Sequence, residues 1–326
     1  MVGFSLSGAT ILARIPFSKV ALGLADQVTT LEQRGLTFSD RAAATEHLEH
    51  IGYYRFTGYT RPFRIGGTGP DQENFRPGTT FDLVHDRYIF DRKLRLIAME
   101  GVEKIEIAVR AGLSNAMATA HGPHWYMDRK FFAKPSWFHS HAPYDIVAWH
   151  GNFIASIKRE IGHDPTQSSR RDVFIKHYYD TYDNPDLPPC WMVFEAISFG
   201  SISQIFKHLA HPGYGDLCKK FGVPHQILSS WFHSVSYIRN ICAHHSRLWN
   251  RVCTIKPTVA NSYRREFPSN DKVYAQLLVM QILIRKIWDN NHWAERLAGL
   301  IGEHPDIPIA DMGFPANWKK SPAWSF

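Results

Sequence analysis

Apolar residues recur at intervals of three and four along most of the chain, the spacing of amphipathic helices. The longest such signal runs from about residue 82 to 112, where Phe90, Leu94, Ile97, Gly101, Ile105 and Val109 share one face. Glu100 with Lys104 and Glu106 with Arg110 add favourable pairs four apart, glutamate on the N-terminal side. Val273 to Trp293 predicts a second long helix, and Phe153–Ile161 and Arg171–Tyr182 predict shorter ones. Trp191 to Phe206 has helical periodicity broken at Ser198-Phe199-Gly200-Ser201. Residues 18–50 read as two short helices around a turn at Arg34-Gly35, with Asp40 or Ser39 placed to cap the second.

Between these elements lie stretches of turn residues. Gly52-Tyr53-Tyr54-Arg55-Phe56-Thr57-Gly58-Tyr59 is an aromatic and glycine cluster, read either as a packed helix end or as a base-stacking platform. Residues 60–80 predict a loop or small hairpin, and Asn184–Pro189 a rigid linker. The tail beyond Pro305 is proline-rich and predicted to be extended. The expected organisation is mainly α: an N-terminal helical region (1–84), a helical domain (85–300) and a C-terminal tail (301–326).

One segment carries most of the chemistry. Trp231, Val235, Ile238, Cys242 and Trp249 form the apolar stripe of a predicted helix that Pro224 would open. At about 100° per residue, Arg239, Asn240, Arg247 and His244 fall on the opposite, polar face, with the small Ala243 among them. His245 falls within the apolar stripe, which makes His244 the candidate base and His245 a core or supporting residue. An always-charged guanidinium suits a phosphate, and an imidazole titrates near neutrality. Cleavage of RNA without a metal needs both, the second to take the proton of a ribose 2′-hydroxyl.

Composition sets bounds on this reading. The chain has 326 residues, 44% hydrophobic and 13% aromatic, enough for a packed core and unlike a disordered chain. Lysine and arginine number 37 against 30 acidic residues, and the net charge of +7 suits a polyanionic partner as well as an ordinary basic protein. Cys190, Cys218, Cys242 and Cys253 show no paired short spacing, so no disulfide framework is implied. The first 17 residues do not read as a signal peptide and no transmembrane run exists, so a reducing cytoplasm is expected. Two histidine-rich places, His121 and His124 with His139 and His141, and Cys242, His244, His245 and Cys253, lack ligand spacing, so neither metal nor cofactor is expected.

Several motifs together resemble the Abi-like abortive-infection proteins of the AbiD/AbiF type. They are Ile51–Arg55 with Gly58-Tyr59 and Pro62-Phe63, Phe90–Arg95, Val102–Arg110, Ser198–Gly200, and Arg239-Asn240 through Ala243–Asn250. The resemblance covers roughly residues 20–290. That family is similar to HEPN-type helical proteins, whose Arg-polar-x3-His motif Arg239, Asn240 and His244 match one by one. It implies a HEPN-like helical bundle with an N-terminal helical extension and a small loop insertion. It further implies homodimers that bring two motifs together, metal-independent RNA cleavage in anti-phage defence, and control by a small RNA. The supporting set for RNA is then Arg247, His245, Asn250, Arg251, Arg92, Arg95, Tyr54 and Arg55. Two rival readings stand beside it: a non-catalytic binder of structured RNA, and a buried Arg239–His244 network of purely structural use.

Overall fold

A computed structural model describes residues 16–18, 20–68, 70–138 and 144–324. Most of the amino terminus considered for a signal peptide, and both His139 and His141, lie outside those residues. The described chain is mainly α-helical, with only isolated β-bridges between its helices. It divides into two compact units at Asp86/Arg87.

The N-terminal unit contains α1 (Leu24–Gln33), α2 (Arg41–Ile51), α3 (Tyr53–Thr60) and the first residues of α4 (Phe81–His121). Asp40 caps α2 as expected, its carboxylate accepting from the N–H groups of Ala42 at 2.9 Å and Ala43 at 3.0 Å. The predicted turn at Arg34-Gly35 joins α1 to α2, and Gly35 supplies the positive φ of 91° that the turn requires. Residues 60–80 form a loop closed by a single antiparallel bridge, Arg64 to Phe75. In the aromatic cluster Phe56 and Tyr59 are buried while Tyr54 is 93% exposed, so one helix carries both a core face and a solvated ring.

The C-terminal unit is organised around the remainder of α4, whose buried stripe of Phe90, Leu94, Ala98, Val102, Ile105, Val109 and Leu113 extends the predicted periodicity. Gly101 on that stripe permits close packing. A Cβ there would lie 2.8 Å from both Met280 Cε and Trp293 Nε1. The indole of Trp293 donates to the Ile97 carbonyl at 2.7 Å. Then follow α5 (Ile146–Glu160), α6 (Val173–Thr181), α7 (Cys190–Ala196) and α8 (Phe199–His208). The periodicity break predicted near Ser198 is the cap between α7 and α8, where the Ser198 hydroxyl accepts from the Ser201 N–H. Asn184–Pro189 is no linker: Leu187, Pro188 and Pro189 are buried, and the Tyr126 and Tyr178 hydroxyls donate to carbonyls of Pro188 and Pro185.

The last helices are α9 (Gly215–Phe221), α10 (His225–Ala243), α11 (Val273–Ile287) and α12 (Trp293–Glu303). The predicted Val273–Trp293 helix ends at Ile287, and after a break at Trp288–His292 a separate helix starts at Trp293; α9 had no clear signal because its seven residues give too few turns for periodicity. Pro224 stands one residue before the helix it was expected to open, as the N-cap of α10. The tail is not extended. It turns through three short 3₁₀ segments that bury Met312, Trp318 and Trp324, and the Trp324 indole donates to the Tyr274 hydroxyl at 3.1 Å. Aromatic burial of about 1.5–3 kcal/mol per side chain outweighs the extended preference of its prolines.

Candidate functional site at the end of α10

α10 packs against α8 and α11 through a continuous apolar face, with Trp231, Phe232, Val235, Ile238 and Cys242 all buried. A buried polar seam between α10 and α11 is satisfied. Ser234 donates to Gln276 Oε1, and Gln276 Nε2 donates to the Ile255 carbonyl at 2.7 Å. Burial pushes the Cys242 thiol up to about 12, so it is an inert core residue.

The helix stops where the motif lies. Helical geometry ends at Ala243, His244 is the C-cap, and His245 takes a left-handed conformation with φ of 53°. The His245 N–H donates to the Cys242 carbonyl at 3.0 Å and the Ser246 N–H to the Ile241 carbonyl at 2.9 Å. Those two bonds are a Schellman closure. A helix running on to Trp249, assumed from periodicity, would have placed His245 inside the core. The actual termination turns it outward, and His245 is exposed. Asn250 is a second left-handed residue, with φ of 50°. Two non-glycine residues in that region within six positions is local backbone cost of the kind that gathers at functional sites.

Arg239 is half-buried, and Asn240 and His244 are exposed. Arg239 Nη1 donates to Asn240 Oδ1 at 3.4 Å. Among the described residues the His244 imidazole has no hydrogen-bond partner and Arg239 no ion pair. Asn240 and His244 lie four apart, about 40° from one another around the axis, whereas Arg239 and His244 are about 140° apart. The carboxamide therefore stands between guanidinium and imidazole. The C-terminal end of a helix carries partial negative charge, so an anion there has to be held by side chains. Arg247, Asn250 and Arg251 supply such groups on the loop that follows, each half-exposed, with Arg251 Nε donating to the Arg247 carbonyl at 2.8 Å.

What fixes that loop is Asp91, a residue of the Phe90–Arg95 motif to which the sequence assigned no role of its own. Asp91 on α4 is fully buried. Its carboxylate accepts from the Leu248 N–H at 3.0 Å and from the Trp249 N–H at 2.5 Å, and it pairs with Arg95 one turn along the same helix. Leu248 and Trp249 are buried by this anchor and not by a continued helix. Arg95, expected to support RNA binding from the surface, is 6% exposed and is bound up in this ion pair. The signal was available: an Asp-x3-Arg pair between the core residues Phe90 and Leu94 places opposite charges four apart on a buried face.

The other expected supporting residues are spread out. Arg92 is exposed on α4 beside the buried Asp91. Tyr54 and Arg55 are exposed on α3 in the N-terminal unit. On its other side Arg239 lines a groove with Leu96, Glu103 and Ile107 of α4, where three glutamates outnumber the arginines. Two of those glutamates are already paired, Glu100 with Lys104 and Arg296 and Glu106 with Arg110, and on the other side the Arg247–Arg251 loop supplies cations beside the motif. Among the described residues, no group of three or more His, Cys, Asp or Glu side chains is arranged to hold a metal ion. None of the described helices is long and apolar enough to cross a membrane.

A family model described as Abi-like protein matches residues 46–250, which takes in α3, α4 and the whole α10 motif. The chain belongs to the Abi-like protein family. No curated protein and no solved structure matches it.

Proposed function

We propose that this protein is a metal-independent endoribonuclease of the HEPN-like kind, close to the AbiD/AbiF type, acting in abortive-infection defence against phage. Family membership supports the defence role. One observation carries the chemistry: an exposed imidazole, His244, with no hydrogen-bond partner among the described residues, one helical turn from an Asn240 that already engages the Arg239 guanidinium. His244 takes the proton from a ribose 2′-hydroxyl, and the 2′-oxygen attacks the adjacent phosphorus. The bond from phosphorus to the 5′-oxygen breaks, leaving a 2′,3′-cyclic phosphate and a 5′-hydroxyl. Arg239 stabilises charge growing on the phosphoryl oxygens, and Arg247 and Arg251 hold flanking phosphates.

The leaving 5′-oxygen needs a proton, and one copy of the motif has only one histidine on the exposed face of the helix end besides the strained His245. The separation of Arg239 from His244 around α10 suits a site completed by a second copy, whose His244 acts as the acid. General acid–base catalysis of this kind supplies about 10² to 10⁴ in rate. The test is incubation of bacterial RNA in EDTA with wild type and with an Arg239→Ala/His244→Ala double variant, reading the fragment ends. Cyclic-phosphate ends from wild type alone support the reading. Cleavage that needs added magnesium overturns it. Binding of RNA by both proteins with no cleavage by either moves the function to RNA capture.

A further inference from the structure

Within the C-terminal unit, α4 leaves one face uncovered beside the motif. Tyr88, Arg92, Leu96, Met99, Glu103 and Ile107 follow one another at intervals of three and four, the spacing of a helix–helix seam. Leu96 is 60% and Ile107 55% exposed, although large apolar side chains at that spacing normally meet another helix. Tyr88 and Met99 are half-buried. Arg239 lines the same groove as Leu96, Met99, Glu103 and Ile107, so the seam runs directly alongside α10 and its motif.

The charges on this face say what covers it. Their neighbours along α4 are paired: Lys93 with Glu303, Arg95 with Asp91, Glu100 with Lys104 and Arg296, and Glu106 with Arg110. Arg92 and Glu103 are exposed, and neither has an ion pair or hydrogen bond among the described residues. They stand about three turns apart, about 16 Å along the axis and about 20° around it. They therefore share the face but are too distant to pair with each other. Opposite charges left over on one apolar seam fit a partner that carries the same two charges in reverse order.

An antiparallel copy of α4 is such a partner. Arg92 and Glu103 lie equally far on either side of the Ile97–Ala98 peptide, and so do Leu96 and Met99, and Tyr88 and Ile107. A two-fold axis at that point sets Arg92 against Glu103 of the second copy and Glu103 against its Arg92. Leu96 then meets Met99 at the centre, and Ile107 meets Tyr88 at each end. A parallel pairing would instead oppose like charges. Asp91, which anchors the loop after the motif, lies about 10 Å along α4 from the same point, so the axis passes close to the motif of each copy. We propose that this face of α4 is a homodimer interface, on which a second copy of the chain packs antiparallel with Arg92 and Glu103 exchanging ion pairs. The inference rests on the reading of the α10 motif as a site completed by a second copy, and it names the surface that joins the two. Arg92, expected to support RNA binding, then serves assembly.

Sedimentation equilibrium of the full chain, without RNA, tests it. Wild type is expected at twice the monomer mass of 37.4 kDa in the micromolar range. Leu96→Asp, Arg92→Glu and Glu103→Arg should each raise the dissociation constant about tenfold or more, because a symmetric interface carries every change twice. All three side chains are exposed, so far-ultraviolet circular dichroism should be unchanged in each variant. The double swap Arg92→Glu/Glu103→Arg should restore association to within about threefold of wild type, a recovery that neither misfolding nor a general change of charge can imitate. A monomeric wild type, a dimer indifferent to the three single changes, or a double swap no better than its parents overturns the proposal. A monomer that still cuts RNA overturns this surface and leaves the cleavage reading standing. A swap-sensitive dimer that cuts no RNA supports the surface and counts against that reading alone.

Discussion

His208 and His244 are the same side chain in opposite settings. His208 at the end of α8 is 3% exposed, and both ring nitrogens are committed. Nδ1 donates to the Gln204 carbonyl at 2.9 Å, so Nε2 accepts from the Tyr144 hydroxyl, while Trp149 stacks on the ring. Burial pushes it down to about 4 and keeps it neutral. His225 nearby is held likewise, donating to the Phe206 carbonyl at 2.7 Å under the Tyr214 ring. His244 sits on a helix end with its imidazole open to solvent and to any substrate. A chain with 18 histidines offers many apparent ligands and bases. Burial and hydrogen-bond saturation separate the histidines that build the core, such as His208 and His225, from exposed ones such as His244, and the motif around His244 then marks it out for chemistry.

Substitution at each histidine is the sharpest way to break that contrast. His244→Ala is expected to lower RNA cleavage by about 10² to 10⁴ with no change in melting temperature, measured by initial rates beside thermal unfolding. An equal loss of stability would make His244 a structural residue like His208. Asp91→Ala strands the Arg95 charge in the core and releases the Leu248 and Trp249 N–H groups. It should destabilise by about 3–5 kcal/mol in denaturant unfolding, and cleavage should fall even where the protein remains folded. If the loop after α10 kept its protection from hydrogen exchange in Asp91→Ala, the anchor assigned to this carboxylate would be wrong.

A pH series sharpens the same comparison. The folded-state value of His208 lies below the ordinary 6.5, so the neutral form contributes stability that is complete above pH 6.5. That stability, up to about 3 kcal/mol, is lost as pH falls from about 6.5 toward 4. His208→Gln should flatten this limb of the stability curve; a slope unchanged in the variant would place its origin elsewhere. The smallest effect belongs to packing alone. Gly101→Ala sets a methyl against Met280 and Trp293 and should cost about 1–3 kcal/mol without touching cleavage once folded.

The regions of the sequence that announced themselves did so through periodicity and capping. α2, α4, the break before α8 and the α10 stripe were legible because three-and-four spacing and an Asp or Ser cap leave local marks. The end of α11 did leave a local mark in Asp289-Asn290-Asn291, outweighed by the apolar residues on either side, whereas the folded tail was not legible because only tertiary packing of Trp318 and Trp324 decides where its chain turns. In the site, residue types, their angular placement on the predicted helix and the motif resemblance together singled out Arg239, Asn240 and His244. The orientation of His245 was not legible, since periodicity continues past Ala243 while the backbone closes a Schellman motif there. Arg95 was misassigned for a related reason: its charge suggested the surface, and its buried partner Asp91 lies one turn away.

The central claim is that a ribose 2′-hydroxyl attacks the neighbouring phosphorus with His244 as its base. A defined RNA with one mapped cleavage site, made with ribose or 2′-deoxyribose on the 5′ side of the scissile phosphate, tests this directly under single-turnover conditions in EDTA. The account predicts that the deoxy substrate binds equally well and is not cut, and that the ribose substrate yields a cyclic-phosphate end that disappears with His244→Ala. Cleavage of the deoxy substrate, or full-rate cleavage by His244→Ala, would contradict it.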